Sequence, residues 1–219
     1  MTGKQRDTQL ASMTDDVARL VLADNYQQTG AVSLEAAAGN EILGAHAQLI
    51  RSLEAKGAVN RGIEFLPDDK GLAERAQMRR GLTAPEICIL LAWTKISLKE
   101  ELLASSLPDS PELQQLLVDY FPPALIRQWG GQLAAHPLKR EIITTQLVNR
   151  LVNRMGTTFV LQAGDEAGVG AAQVAAAWYA ASELLGGEAP WREIEALDLK
   201  VSAEQQMASC SSSMSMRPG

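Results

Sequence analysis

The residues of this sequence able to do chemistry are few, and Lys95 is the first to weigh. It follows Trp93 and Thr94 near the end of an apolar run, Ile87 through Ile96. Burial there would disfavour the ammonium, lower its pKa and call for an anionic partner. The more ordinary arrangement is a lysine whose stem packs while its head escapes to water from the last turns of a helix. The two histidines, His46 and His136, stand too far apart for metal-ligand spacing and have no cysteine near them. His46 falls on an apolar stripe and reads as a core or edge histidine, while His136 before Pro137 reads as a capping or packing residue. The sequence holds no Ser-x-x-Lys, Gly-x-Ser-x-Gly or His-Glu-x-x-His pattern, so no nucleophile or zinc motif identifies itself.

Glycines that could cradle a dinucleotide pyrophosphate are also wanting. Gly164, Gly168 and Gly170 lack Gly-x-Gly-x-x-Gly spacing and have no strand pattern before them, so a loop between helices is expected. Cys88, in the run Ile87-Cys88-Ile89-Leu90-Leu91, is expected to be a buried, inert thiol, and Cys210 lies in a Ser-rich tail. This pairing does not make a disulfide framework, and a reducing, cytoplasmic setting suits it. From these residues we assign no catalytic, cofactor-binding or metal-binding role. Two polar rows remain. Asn149 and Asn153, and likewise Arg150 and Arg154, are spaced i, i+4 and line up along a helix. Solvated surface and a polar interface with another domain both fit them, and with Lys95 they are the interface candidates.

The elements that must position these residues are helical almost throughout. Leu10, Met13, Val17, Leu20 and Val21 follow helical spacing, with a break or restart expected at Thr14-Asp15-Asp16. A second helix fits residues 41–56, with Ile42, Leu49, Ile50 and Leu53 as its stripe and Gly57 as its stop. Ile63, Phe65 and Leu66 form a short apolar knot before Pro67, and a polar helix follows from Asp68 to Gly81. The clearest start signal is Thr83-Ala84-Pro85-Glu86, a capping box with proline in the first turn, opening an apolar helix central to the core.

Further helices are expected from Ser110 to Tyr120, from Ala124 to Ala135 and from Leu138 to Met155, the last closed by Gly156. On that last helix Ile143, Leu147, Val148, Leu151, Val152 and Met155 cover about half the circumference. An Ala-rich helix near 171–185 and another near 190–199 follow. The fold class is all-α: an irregular multi-helix domain over 1–206, divisible into two helical subdomains near 67–82, with a disordered tail over 207–219.

Composition agrees with a packed protein. The 219 residues are 46% hydrophobic and 21% charged, enough to bury a real core. The net charge is −6 with no basic stripe, so nucleic acid is not an expected partner. No apolar run approaches the roughly 18 residues of a membrane span, and the polar Met1–Gln9 segment carries no secretory signal.

Several stretches, in order, resemble the C-terminal region of the large bacterial NAD-specific glutamate dehydrogenases. They are Met13-Thr14-Asp15-Asp16-Val17, the run 20–29, Arg61-Gly62-Ile63-Glu64-Phe65-Leu66-Pro67, and Arg80 to Glu86. After these come Tyr120-Phe121-Pro122, His136 to Ile143, the run 151–160, and Ile194-Glu195-Ala196-Leu197-Asp198. The resemblance spans about Met1 to Gln206. It implies a parent reaction in which L-glutamate and NAD give 2-oxoglutarate, ammonia and NADH. It also implies that the catalytic lysine and aspartate and the NAD-binding glycine turn lie upstream of this region. The chain is then expected to bind no cofactor itself and to be inactive alone. Its expected partners are the upstream catalytic domains and further copies in a homo-oligomer. Opening with Met1 inside family-like sequence, it reads as a fragment, a truncated product or a separately encoded piece. A free-standing helical interaction module and an enzyme built from scattered residues are the competing readings.

Overall fold

Helix α1, Gly3–Ala38, runs unbroken through the point where a restart was expected. Thr14 turns its hydroxyl back onto the Leu10 carbonyl (3.4 Å), a bond that lets threonine sit inside a helix instead of capping one. This computed structural model describes residues 2–202, 205–206 and 208–210, and no strand occurs among them. Of the tail expected to be disordered, Met207 and residues 211–219 lie outside the described residues, and Ala208–Cys210 are helical.

After a 3-10 turn at Gly39–Ile42, α2 (Leu43–Ala55) buries Leu43, His46, Leu49, Ile50 and Leu53 along one face. The single helical turn α3 (Arg61–Glu64) and the polar α4 (Asp69–Gln77) are capped by Asn60 and Asp68, whose side-chain oxygens accept from first-turn amides. The knot expected around Ile63 and Phe65 does not form. Leu66 is buried, but Ile63 and Phe65 face water, 71% and 86% exposed.

Helix α5 (Ala84–Leu103) starts as its capping box requires. Thr83 N–H and Oγ1 both donate to Glu86 Oε2 at 2.7 Å, and Arg75 grips the same carboxylate through two nitrogens at 2.6 and 2.7 Å. Burial alone would raise the pKa of Glu86. The bonds from Arg75 and Thr83 outweigh it and hold the group below its ordinary value. Ile87, Leu90, Leu91, Thr94, Leu98 and Leu102 point inward. Cys88 is a correction to the expectation of burial: it is exposed. The helix is apolar on most faces, yet its neighbours cover only one stripe, and Cys88 and Ile96 lie outside that stripe.

The second half comprises α6 (Gln114–Tyr120), α7 (Pro123–Trp129), α8 (Lys139–Met155), α9 (Phe159–Ala167), α10 (Ala171–Leu184) and α11 (Ala189–Glu195). Helix α9 corrects the loop expected around Gly164: that glycine is inside the helix, and Gly168 ends it in the left-handed conformation. A glycine spends helix stability but does not forbid a helix whose other residues favour one.

Two apolar clusters make the core. Leu43, Ile50, Leu53, Leu72, Ile87 and Leu90 belong to one. Leu91, Leu102, Leu116, Ile143, Leu147 and Leu151 belong to the other. Helix α5 contributes to both, and Val32 of α1 packs against both. Helix α8 is the spine of the second cluster and the scaffold of the site described next.

Candidate functional site: the polar edge of the central helix

Helix α8 buries its apolar half and sends its polar rows in three directions. Arg150 reaches α6, where Nη2 donates to Asp119 Oδ2 at 2.6 Å. Arg154, only 5% exposed, reaches α11: Nη1 donates to Glu195 Oε1 at 2.7 Å and Nη2 to Glu188 Oε2 at 2.6 Å. Its guanidinium also lies 4.8 Å from the centre of the Trp191 ring, a cation–π contact. Asn153, 4% exposed, reaches α1, where Nδ2 donates to Asp24 Oδ1 at 3.4 Å. Asn149 remains partly exposed beside them. Solvated surface therefore does not describe Asn153 or Arg154, which tie α8 to α1 and α11 within the chain.

Lys95 joins this edge from α5. Its Nζ is buried with no hydrogen-bond partner among the described residues. Loss of hydration lowers its pKa to about 8, and the negative charge of Asp24 opposes that only in part. The structure thus brings Lys95, Asn153 and Arg154 around the α1–α8 contact, through Asp24 and its neighbours, and leaves Arg150 on the α6 side. A cavity of about 240 Å³ adjoins this edge between α1, α8 and α11, lined by Tyr26, Leu34, Asn153, Arg154, Trp191 and Ile194 among others. A smaller one of about 140 Å³ lies between α2, α5 and α9, beside Thr94, Ser97 and Glu101.

Sequence reasoning missed one buried polar group altogether. Glu35 of α1 accepts from Thr157 N–H at 2.5 Å, from Thr157 Oγ1 at 2.9 Å and from His46 Nε2 at 2.9 Å. His46, 1% exposed, is the core histidine that its position predicts, though a polar partner for it was not foreseen. A single acid in the small-residue run Leu34-Glu35-Ala36-Ala37-Ala38, and the Gly156-Thr157 pair after a helix stop, were the available signals. Gly156 has φ +84° and a Cβ added to it would stand 2.6 Å from Glu35 Oε1, so only glycine lets the carboxylate approach. With three donors already on its two oxygens, Glu35 acts as a tie between α1, α2 and the α8–α9 corner. His136 accepts from Leu138 N–H through Nδ1 (3.1 Å) and packs 5.6 Å from the Phe121 ring, the capping and packing role expected.

Residues 79–217 match the family described as "Glutamate dehydrogenase, C-terminal". The chain belongs to that family. Its sequence is 42% identical over 207 residues to the NAD-specific glutamate dehydrogenase of Pseudomonas aeruginosa, covering 94% of this chain and 13% of that protein. The enzyme of the same description from Halomonas elongata is 40% identical over 206 residues, again covering 94% and 13%. The one from Mycobacterium tuberculosis is 37% identical over 203 residues, covering 93% and 12%. The chain therefore spans about an eighth of the length of these relatives.

Those relatives are NAD-specific by name, and the three glycines weighed for a dinucleotide turn, Gly164, Gly168 and Gly170, do not fit one. Gly164 is inside α9, Gly168 caps it and Gly170 precedes α10, so these glycines form no strand-turn-helix corner. Among the described residues no group of three or more His, Cys, Asp or Glu is placed to hold a metal ion, and no helix is long and apolar enough to cross a membrane.

Proposed function

We propose that the chain is a helical accessory part of an NAD-specific glutamate dehydrogenase, serving its structure, assembly or regulation while catalysis takes place elsewhere in the enzyme. The observation that carries this is the coverage: nearly all of this chain matches only 13% of relatives whose names state the activity. In the parent reaction L-glutamate is oxidised and deaminated to 2-oxoglutarate and ammonia, and NAD takes the hydride to become NADH. The groups needed for that reaction, a dinucleotide-binding corner and a substrate site, belong on this reading to the other seven-eighths or so, by the same coverage. The geometry of α8 supports the reading, because Arg150, Asn153 and Arg154 are spent on holding neighbouring helices. The compartment is cytoplasmic and the working unit a homo-oligomer in which this region meets the catalytic domains.

The competing reading, a free-standing interaction module, rests on the well-formed core that the chain has by itself. Sedimentation of the chain with and without the remaining part of the Pseudomonas aeruginosa relative separates the two. Co-sedimentation as one larger assembly is the expected result. Two independent species at micromolar concentrations would favour the module.

A further inference from the structure

We infer that Ile63 and Phe65 form a rigid apolar knob that docks into a pocket on the remainder of the glutamate dehydrogenase polypeptide. The inference rests on the accessory role proposed above and names the surface that serves it. The turn that carries the knob is fastened at both ends. Asn60 Oδ1 accepts from Gly62 N–H (3.0 Å) and Ile63 N–H (3.3 Å), fixing its start. Arg61 donates to Glu54 Oε2 (2.7 Å) and Asp69 Oδ1 (3.1 Å), joining it to α2 and α4. Leu66, buried, closes it with N–H on the Arg61 carbonyl (3.0 Å).

Between these anchors stands one of three residues other than glycine at positive φ among the described residues. Phe65 has φ +56° and ψ +31°, a left-handed conformation that residues with a Cβ adopt rarely, and the residue is 86% exposed. An aromatic at a strained position with little packing among the described residues is explained by packing on a partner. Aromatic anchors presented on rigid turns are what well-packed protein interfaces use.

The surroundings favour one occupant. Near the knob the Asp69 carboxylate is already matched inside the chain by Arg61 and Arg51 and Asp68 caps α4, so the turn offers an apolar surface, on a chain of net charge −6. A second copy would bring like charges together, which disfavours self-docking. The relatives carry most of their length outside the region matched here, so the polypeptide that completes the enzyme is at hand in every copy. The complementary site is an apolar pocket.

The test grafts this chain in place of the matching segment of the full-length Pseudomonas aeruginosa relative. It then measures the thiol-labelling rate of Phe65→Cys, read site by site, in the graft and in the 219-residue chain alone. Labelling at least tenfold slower in the full-length protein is the expected result. Equal rates, in a graft that still forms NADH from glutamate, would overturn the knob and leave the accessory role standing. A graft that does not assemble or turn over would overturn both. Protection in the free chain that grows with its concentration would show a second copy on the knob and overturn the choice of partner. Phe65→Gly gives an independent sign: relief of the left-handed backbone should raise the melting temperature of the free chain and lower that of the full-length enzyme. A rise in both would contradict the docking role.

Discussion

Lys95 and Gly156 show how much one residue can reveal: the first holds a buried charge at a cost to the core, and the second a backbone angle that glycine takes without strain. The ordinary lysine pKa of 10.5 falls to about 8 at Lys95, chiefly through burial. Between those values the unfolded chain binds more protons than the folded one, so this site's contribution to stability rises with pH from about 8 to 10.5. Below pH 8 the cost of the buried ammonium is fully felt. Lys95→Met should therefore stabilise the fold by about 1–2 kcal/mol at pH 7, after discounting for partial exposure. Its advantage over the parent chain should shrink toward pH 10, as urea titrations at several pH values would show. Gly156→Ala should destabilise by roughly 2–4 kcal/mol, combining left-handed strain with displacement of the Glu35 carboxylate from Thr157. Thermal melts would check it, and an unchanged midpoint would mean that Glu35 is not the tie described here. Lys95 could be singled out from its apolar neighbours alone. The Glu35 tie could not, since it joins residues 11 and 122 positions apart and no local pattern encodes such a distance.

At the scale of elements, legibility followed local chemistry. The α5 start was readable because Thr83, Pro85 and Glu86 carry the whole signal within four residues. The continuity of α1 was not, because a Thr-Asp-Asp cluster can either cap a helix or sit within one, and its neighbours decide. Helix α9 was hidden by glycines that mimic a loop. The polar rows on α8 were visible as rows, but their partners on α1, α6 and α11 come from the fold. Arg154 is the main fastening of α11, so Arg154→Met should free that helix while leaving the α5–α8 core intact. Amide hydrogen exchange over Ala189–Glu195 should quicken by at least tenfold, and Arg154→Lys should restore little, since one ammonium cannot bridge two carboxylates and cover a ring. Unchanged exchange would mean that the apolar contacts of Trp191 and Ile194 suffice.

For the molecule as a whole, the all-α class and the order of helices were legible, whereas the way two apolar clusters share helices was not. Helix α5, just after the division expected near 67–82, serves both clusters: Ile87 and Leu90 belong to one, and Leu91 and Leu98 to the other. We propose that the two halves unfold together. Helical circular dichroism and tryptophan fluorescence should then give coincident denaturation curves, and separated midpoints would indicate two subdomains. The central claim, an accessory part without the catalytic centre, is tested most directly by glutamate-dependent NADH formation. The purified chain should show none, while a full-length relative carrying it in place of its own segment should turn over. Turnover by the chain alone would contradict the claim and place an active site among these helices.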